Sequence, residues 1–339
     1  MAKIKLFTHT DLDGISCEIL GRLMYSDIDI ERLDYSNVNK TITSFVVSGK
    51  MAQYDTVFIT DLNLDPSTMV VLNSLVENSD VDIRLFDHHQ QSLAYNELPW
   101  VNAITDIKTD NPYFKNETHK TCGTELFWEL YFKDLVSEHS PESIDMVKRI
   151  QEYIYFVTMR DTGHFDVLEA VSLNDMMKLY GTEEYMEIIA GRIIMGEPLI
   201  QQSDINLLNM ETRQKLRYFE KMENKMQYCY KHNHRFGVVF TDRYISELGQ
   251  HLSSKYPDCD FIALVDLHGA WNGGTTVSLR TIHDHINVSE FAAMFGGGGH
   301  PKASGFTVSA EHKLNLIDKL FEIEGDESVE ERQTETVEA

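Results

Sequence analysis

Three short apolar runs near the start of the chain each end in acids or histidines. Ile4–Phe7 leads to His9-Thr-Asp11-Leu-Asp13-Gly14, Asp55–Thr60 runs into Asp61-Leu-Asn63, and Val81–Phe86 runs into Asp87-His88-His89. Continuous apolar runs of this length suit strands covered on both faces. Helical patterns separate them. Gly14–Tyr25 carries Ile15, Ile19, Leu20 and Leu23 on one face, and Pro66–Val76 opens on a proline, which the first helical turn tolerates. Strand–helix alternation predicts an α/β fold with a parallel sheet and helices on both faces. In such a sheet ligands gather at the carboxyl edge, so these clusters are expected on one edge. A helix over Ser143–Met159 delivers a fourth, Arg160-Asp161-Thr-Gly163-His164.

The remaining pattern divides the chain. Asn102–Thr121 reads as loop, and Gly123–Val136 as a helix. Ile188–Tyr230 is poor in strand signals and rich in Glu, Lys, Gln, Met and Leu, with Gly196-Glu-Pro as a break. Strand signals return at Phe236–Thr241, Phe261–Asp266 and Thr275–Arg280, with helices over Tyr244–Lys255 and Val288–Met294. A metal-binding domain over 1–187, a helical connector over 188–234, a smaller α/β domain over 235–321 and a disordered acidic tail over 322–339 follow as expectations. A length of 339 residues suits two domains.

Composition narrows the function. With 42% hydrophobic and 25% charged residues, wholesale disorder and fibrous repeats are excluded. No apolar run has the length of a membrane-spanning helix, and no signal peptide is read at the start. The net charge is −24, and it stays strongly acidic without Glu322–Ala339, which holds eight acids and one arginine. Binding along an extended nucleic acid is disfavoured, since that needs many cationic phosphate contacts. A short phosphorylated substrate held by metal ions or a local basic pocket is compatible. Cys17, Cys122, Cys229 and Cys259 stand far apart with no Cys-x-x-Cys pair, which argues against a thiolate zinc site and for a reducing, cytoplasmic setting.

Each chemical motif has a bland reading. A lone aspartate after a strand is ordinarily a turn residue or helix cap, and a glycine run is ordinarily a flexible turn. The joint pattern alters the balance. Three strands delivering Asp or His to one edge would bury negative charge at high cost without a counter-cation. Carboxylate and imidazole ligands suit Mn²⁺ and related ions, and two such ions suit hydrolysis of a phosphoryl group. His119, His164, His283 and His285 have no evident partner set, and Lys302 has a solvated reading.

His9-Thr-Asp11-Leu-Asp13-Gly14, Asp61, Asp87-His88-His89 and Arg160-Asp161 together resemble the four motifs of the DHH phosphoesterases. Gly296-Gly-Gly-Gly-His300-Pro-Lys-Ala-Ser-Gly305 resembles the glycine-rich signature of their DHHA1 domain. The matches extend over nearly the whole chain, and five in the right order are highly specific. The compact His-x-Asp-x-Asp-Gly spacing is similar to the oligoribonuclease B type within the family.

The resemblance implies one metal held by His9, Asp11 and Asp61, and another held by Asp13, Asp61, His88 and Asp161. Asp87 would orient a histidine, and His89 would face the substrate phosphate. Arg280, His300 and the glycines Gly297, Gly298 and Gly299 would bind substrate, with the second domain closing over it. Two divalent ions are implied, Mn²⁺ first, with Mg²⁺ or Co²⁺ as alternatives. The implied reaction is hydrolysis of very short oligonucleotides to nucleoside 5′-monophosphates by a monomer or homodimer. Hydrolysis of cyclic di-AMP, its linear product or adenosine bisphosphate is the alternative. A pyrophosphatase or exopolyphosphatase fits the glycine-rich segment poorly, and a non-catalytic sensor fits a complete ligand set poorly.

Overall fold

The alternation resolves into a parallel sheet of five strands. The computed structural model describes residues 2–77, 79–136, 141–270 and 273–311. The chain divides into two compact units, Met1–Leu208 and Asn209–Ala339. In the first unit β1 (Ile4–His9), β2 (Ile28–Leu33), β3 (Thr56–Thr60), β4 (Asp82–Asp87) and β5 (Val101–Ala103) lie in the order β2-β1-β3-β4-β5, all parallel. The chain runs outward from β1 to β2 and returns past β1 to β3. The topological switch point, where open α/β sheets bind ligands, therefore lies between β1 and β3.

Side chains alternate across the strands. Ile4, Leu6, Phe58 and Phe86 enter one core with Ile15 and Ile19 of α1 (Leu12–Met24), Phe127 of α4 (Gly123–Phe127) and Tyr153 of α5 (Pro141–Asp161). Phe7, Val57, Ile59 and Leu85 enter a second core with Ile42 and Phe45 of α2 (Val38–Val47) and Leu72 of α3 (Pro66–Val76). Both sheet faces are covered, which is why these strands read as unbroken apolar runs.

Several elements depart from the sequence expectation. The first helix begins at Leu12, ahead of Gly14, because Asp11 caps it. β2 and α2 lack a clear signal: β2 alternates Ile with Asp, Glu and Arg at the sheet edge, and α2 is rich in Val, Thr and Ile, which have weak helix propensity. The helix expected over Gly123–Val136 is α4 followed by a π-helical turn over Trp128–Phe132 and a 3-10 turn over Lys133–Leu135. The loop expected over Asn102–Thr121 contains the end of β5 and a hairpin of β6 (Asp106–Lys108) and β7 (Thr118–Lys120). Two further helices, α6 (Leu168–Tyr180) and α7 (Thr182–Met195), follow α5. Gly196, at φ 67°, ends α7. Segment 188–234 is not wholly helical. After α8 (Gln202–Glu223) it forms β8 (Gln227–Lys231), an edge strand whose mostly exposed Gln-Tyr-Cys-Tyr-Lys carries little apolar alternation.

The second unit is a mixed six-stranded sheet. β9 (His234–Phe240) and β10 (Phe261–Asp266) are parallel, connected through α9 (Ile245–Lys255). β11 (Thr275–Arg280) pairs antiparallel with β10 and with β13 (Ala303–Val308). β12 (Gly298–His300) forms one edge and β8 the other. α10 (Val288–Ala293) contributes Phe291 to a core with Phe236 and Phe261. Segment 322–339, expected as a tail, lies outside the described residues. All four cysteines are free. No helix of the described residues is long and apolar enough to cross a membrane.

Candidate active site

Sheet register builds the site. Thr8 of β1 stands opposite Thr60 of β3, and Thr60 opposite Phe86 of β4. The next residues, His9, Asp61 and Asp87, therefore form one row along the carboxyl edge. Directly after His9 the chain turns into α1, where the Asp11 carboxylate accepts from the Gly14 amide at 3.1 Å. A Cβ on Gly14 would lie 2.3 Å from the His9 carbonyl oxygen, so only glycine permits this turn.

Three groups of ligand atoms converge here. His9, Asp11 and Asp61 form one, Asp13, His88 and Asp161 a second, and Asp61, Asp87, His88 and His89 a third that overlaps both. Asp61 reaches the first two. Its Oδ2 lies 3.7 Å from His9 Nδ1, and its Oδ1 lies 3.3 Å from His88 Nε2. His88 Nδ1 is 3.6 Å from Asp161 Oδ2, and His9 Nδ1 is 3.0 Å from Asp11 Oδ2. Among the described residues, neither His9 Nδ1 nor Asp61 Oδ2, both buried, makes a well-aligned hydrogen bond, the close ion-pair contacts notwithstanding. Burial of such atoms is costly, and a divalent cation among these ligands would satisfy both. Burial raises the carboxyls of Asp61 and Asp161 above the usual range, and the charges of Asp13 and Asp11 raise them further. The oxygen- and imidazole-rich donor set fits a hard or borderline divalent metal.

Asp61 adopts a left-handed backbone at φ 53°, a conformation that aspartate tolerates better than most residues, and its amide donates to the Phe86 carbonyl at 2.9 Å. Asp13 is held from far along the chain. Its carboxylate accepts from the amides of Gly123 (2.6 Å) and Thr124 (2.8 Å), and its carbonyl accepts from the Thr124 hydroxyl (2.7 Å). The amino end of α4 thus faces a carboxylate, which its dipole favours. A Cβ on Gly123 would lie 2.8 Å from Asp61 Cβ and 3.0 Å from Asp13 Oδ2. Thr124, readable as the cap of its own helix, instead anchors Asp13. Cys122-Gly123-Thr124 reads from sequence as a loop-to-helix junction near the site, but a glycine beside a helix start carries no local signal of which side chains approach it.

Asp87 is fully buried, and its carboxylate is engaged by its own neighbours. Its Oδ1 lies 2.7 Å from His89 Nδ1 and accepts from the His88 amide at 2.9 Å, while Oδ2 accepts from the Ser92 hydroxyl. Burial alone would raise Asp87. The bonds from His89 and Ser92 outweigh it and hold its carboxyl below the usual range, and Asp87 in turn raises His89. His89 Nε2 is 3.0 Å from the Tyr35 hydroxyl. Ser92 and Tyr35 escaped sequence reasoning, Tyr35 because β2 did.

In the second unit Arg280 ends β11. Its stem packs where a Cβ on Gly249 would lie 2.7 Å from Arg280 Cγ. The guanidinium donates to the Leu279 carbonyl and the Ser246 hydroxyl, and no carboxylate pairs with it among the described residues. Half-burial lowers its pKa. Gly297, Gly298 and Gly299 do not form a loose loop. Gly298, Gly299 and His300 pair with Gly305, Ser304 and Ala303 of β13. Cβ atoms on Gly297 and Gly299 would lie 2.2 Å from the Gly305 carbonyl oxygen and 2.7 Å from that of Ala303. His300 is exposed. Lys302 is engaged by Asp284 at 2.7 Å and the Ile282 carbonyl at 2.8 Å.

The histidines set aside have structural partners. His119 bonds buried Glu125 at 2.9 Å and stacks on Phe114, His164 contacts Thr162, and His283 contacts the Cys259 carbonyl.

No family model matches the chain. It is 29% identical over 322 residues to oligoribonuclease NrnB of Bacillus subtilis (strain 168), covering 94% of this chain and 76% of that protein. It is 21% identical to a 3′,5′-cyclic-nucleotide phosphodiesterase of Helicobacter pylori, covering 90% of this chain and 92% of that one. Among solved structures, exonuclease RecJ bound to manganese aligns with a TM-score of 0.48 at 13% identity, over 93% of this chain and 88% of that one. The motif residues on one sheet edge, the glycine-rich strand and the near full-length match to an oligoribonuclease make the chain similar to the DHH/DHHA1 phosphoesterases.

Proposed function

We propose that this protein is a two-metal phosphodiesterase that hydrolyses very short oligonucleotides and dinucleotides to nucleoside 5′-monophosphates. The observation that carries the reading is Asp61, whose two carboxylate oxygens face the separate histidines His9 and His88. In this reading His9, Asp11 and Asp61 hold one divalent ion, and Asp61, Asp13, His88 and Asp161 hold the second, with Mn²⁺ favoured over Mg²⁺ or Co²⁺. The bound ions supply the positive charge that phosphoryl transfer demands and the acidity that activates water. Asp87 keeps a proton on His89 Nδ1 and favours the charged ring, whose Nε2–H can then donate to the substrate phosphate in place of its contact with Tyr35. Arg280, which no carboxylate engages among the described residues, offers its planar fork to a phosphate. His300 and the segment Gly297–Gly299 are assigned to substrate binding by the second unit; the Gly297 amide itself donates to the Ala292 carbonyl at 3.0 Å. The relationship to an oligoribonuclease over 94% of the chain supports the substrate class, and a net charge of −24 supports short substrates over long ones.

Resemblance to a protein named for cyclic-nucleotide hydrolysis supports a second reading, in which a signalling dinucleotide is the substrate. Free cysteines support a reducing, cytoplasmic setting.

A product time course decides between them. Purified protein with Mn²⁺ is given a dinucleotide, a pentanucleotide, a long oligonucleotide, cyclic di-AMP and pyrophosphate in parallel, with EDTA as control. Conversion of the two short substrates to mononucleotides, with the long one slow, is the expected result. Selective loss of cyclic di-AMP moves the function to signalling, and hydrolysis of pyrophosphate alone overturns both readings.

A further inference from the structure

β2 runs parallel to β1 with Leu33 opposite His9. Tyr35, two residues beyond, stands at the carboxyl edge that carries His9, Asp61 and Asp87. A tight turn sets it there. The Asp34 side chain accepts from the Ser36 amide at 2.7 Å, the Asn37 side chain accepts from the Asp34 amide at 3.0 Å, and the Asp34 carbonyl accepts from the Val38 amide at 2.9 Å as α2 begins. The Tyr35 ring lies 4.8 Å from the His9 ring, and its hydroxyl lies 3.0 Å from His89 Nε2.

The hydrogen-bond roles follow from chemistry. An ionised Asp87 can only accept, so His89 Nδ1 carries the proton of that 2.7 Å bond. In the neutral ring Nε2 then accepts, and the Tyr35 hydroxyl donates to it. An imidazole bonded at Nδ1 alone can tilt about that bond. A second bond at Nε2 fixes its plane and reinforces its tautomer. Tyr35 is 53% exposed, so the preceding turn and this bond hold it in place more than burial does.

We propose that Tyr35 is a positioning residue of this site: its hydroxyl clamps His89 at Nε2 while Asp87 clamps Nδ1, so the imidazole is pre-oriented before substrate arrives. The functional part of this rests on the phosphodiesterase reading. The bond itself does not.

Tyr35→Phe keeps the ring over His9 and removes the hydroxyl. With Mn²⁺ and a dinucleotide, kcat is expected to fall about 3- to 10-fold, the scale of one neutral hydrogen bond, with KM little changed. In a His89→Gln background the same substitution should cost nothing more. Nitrogen-15 spectra of the metal-free protein at alkaline pH should show His89 as the Nδ1–H tautomer, and its Nε2 resonance should shift in Tyr35→Phe. An unmoved Nε2 resonance refutes the clamp, and an equal loss of kcat in the His89→Gln background refutes action through His89. If the wild type hydrolyses no dinucleotide, the phosphodiesterase reading fails, while the spectra still decide the Tyr35–His89 bond.

Discussion

Gly123→Ala tests the site through a residue that bears no functional group. At the first turn of α4, helix propensity alone predicts stabilisation of about 0.5–1 kcal/mol. The structure predicts the opposite sign. The new Cβ would lie 2.8 Å from Asp61 Cβ, 3.0 Å from Asp13 Oδ2 and 3.1 Å from Asp61 Cα. Ordinary carbon contacts begin near 3.5 Å, so Asp61 or the start of α4 must retreat by about 0.7 Å. Overpacking of this kind costs about 1–3 kcal/mol. The retreat either displaces the carboxylate that links the ligand groups or lengthens the 2.6 Å and 2.8 Å bonds that hold Asp13. Ligand constellations tolerate about 0.5 Å of error, and a misplacement near 1 Å costs about 100-fold in rate. We expect a lower Tm, Mn²⁺ affinity weakened by tenfold or more on the scale of about 10–100-fold for disturbed supporting shells, and a comparable loss of kcat/KM. Calorimetric metal titration, thermal melts and dinucleotide turnover measure all three. A variant as stable as wild type or more so, with unchanged Mn²⁺ affinity, would refute the close-approach argument.

Asp61→Asn removes a charge that burial and the neighbouring carboxylates of Asp13, Asp11 and Asp161 oppose. It should raise the Tm of the metal-free protein while abolishing turnover, and a lower Tm would show that the ionised carboxylate is not strained there. The raised carboxyls of Asp61 and Asp161 also set a pH trend without metal. A folded pKa above the unfolded value means the unfolded chain ionises first, so stability falls as pH rises from about 4 towards the folded values. Melts in EDTA should therefore lose Tm between mildly acidic and mildly alkaline pH, and Mn²⁺ should reverse the slope; Asp11 and Asp87, held low, lose their contribution only in stronger acid. Arg280→Met keeps the stem that packs against Gly249 and removes the fork. KM for a dinucleotide should rise with Mn²⁺ affinity unchanged, and an unaltered KM would remove Arg280 from the substrate contacts.

Much of this site was legible in local pattern. Unbroken apolar runs reveal strands covered on both faces, because burial on one face would force alternation with polar residues. Once the strands are parallel, the residues after them must share an edge, so His9, Asp61 and Asp87 could be grouped from the sequence. Edge and irregular elements were illegible for the same reason. β2 and β8 bury little and carry little burial pattern, and the π-helical turn at Trp128–Phe132 follows from packing that no 3.6-residue period encodes.

Register and helix approach decided the rest. Asp13 is held by Gly123 and Thr124, 110 and 111 residues away. Asp61 takes a left-handed backbone that points its oxygens towards two histidines from different strands. Tyr35 meets His89 only because β2 pairs beside β1. Hydrophobic patterning encodes which face of an element is buried, since that depends on each residue's own transfer free energy. Which polar atoms then meet depends on distances between elements, and those exist only once the sheet has paired and its helices have packed.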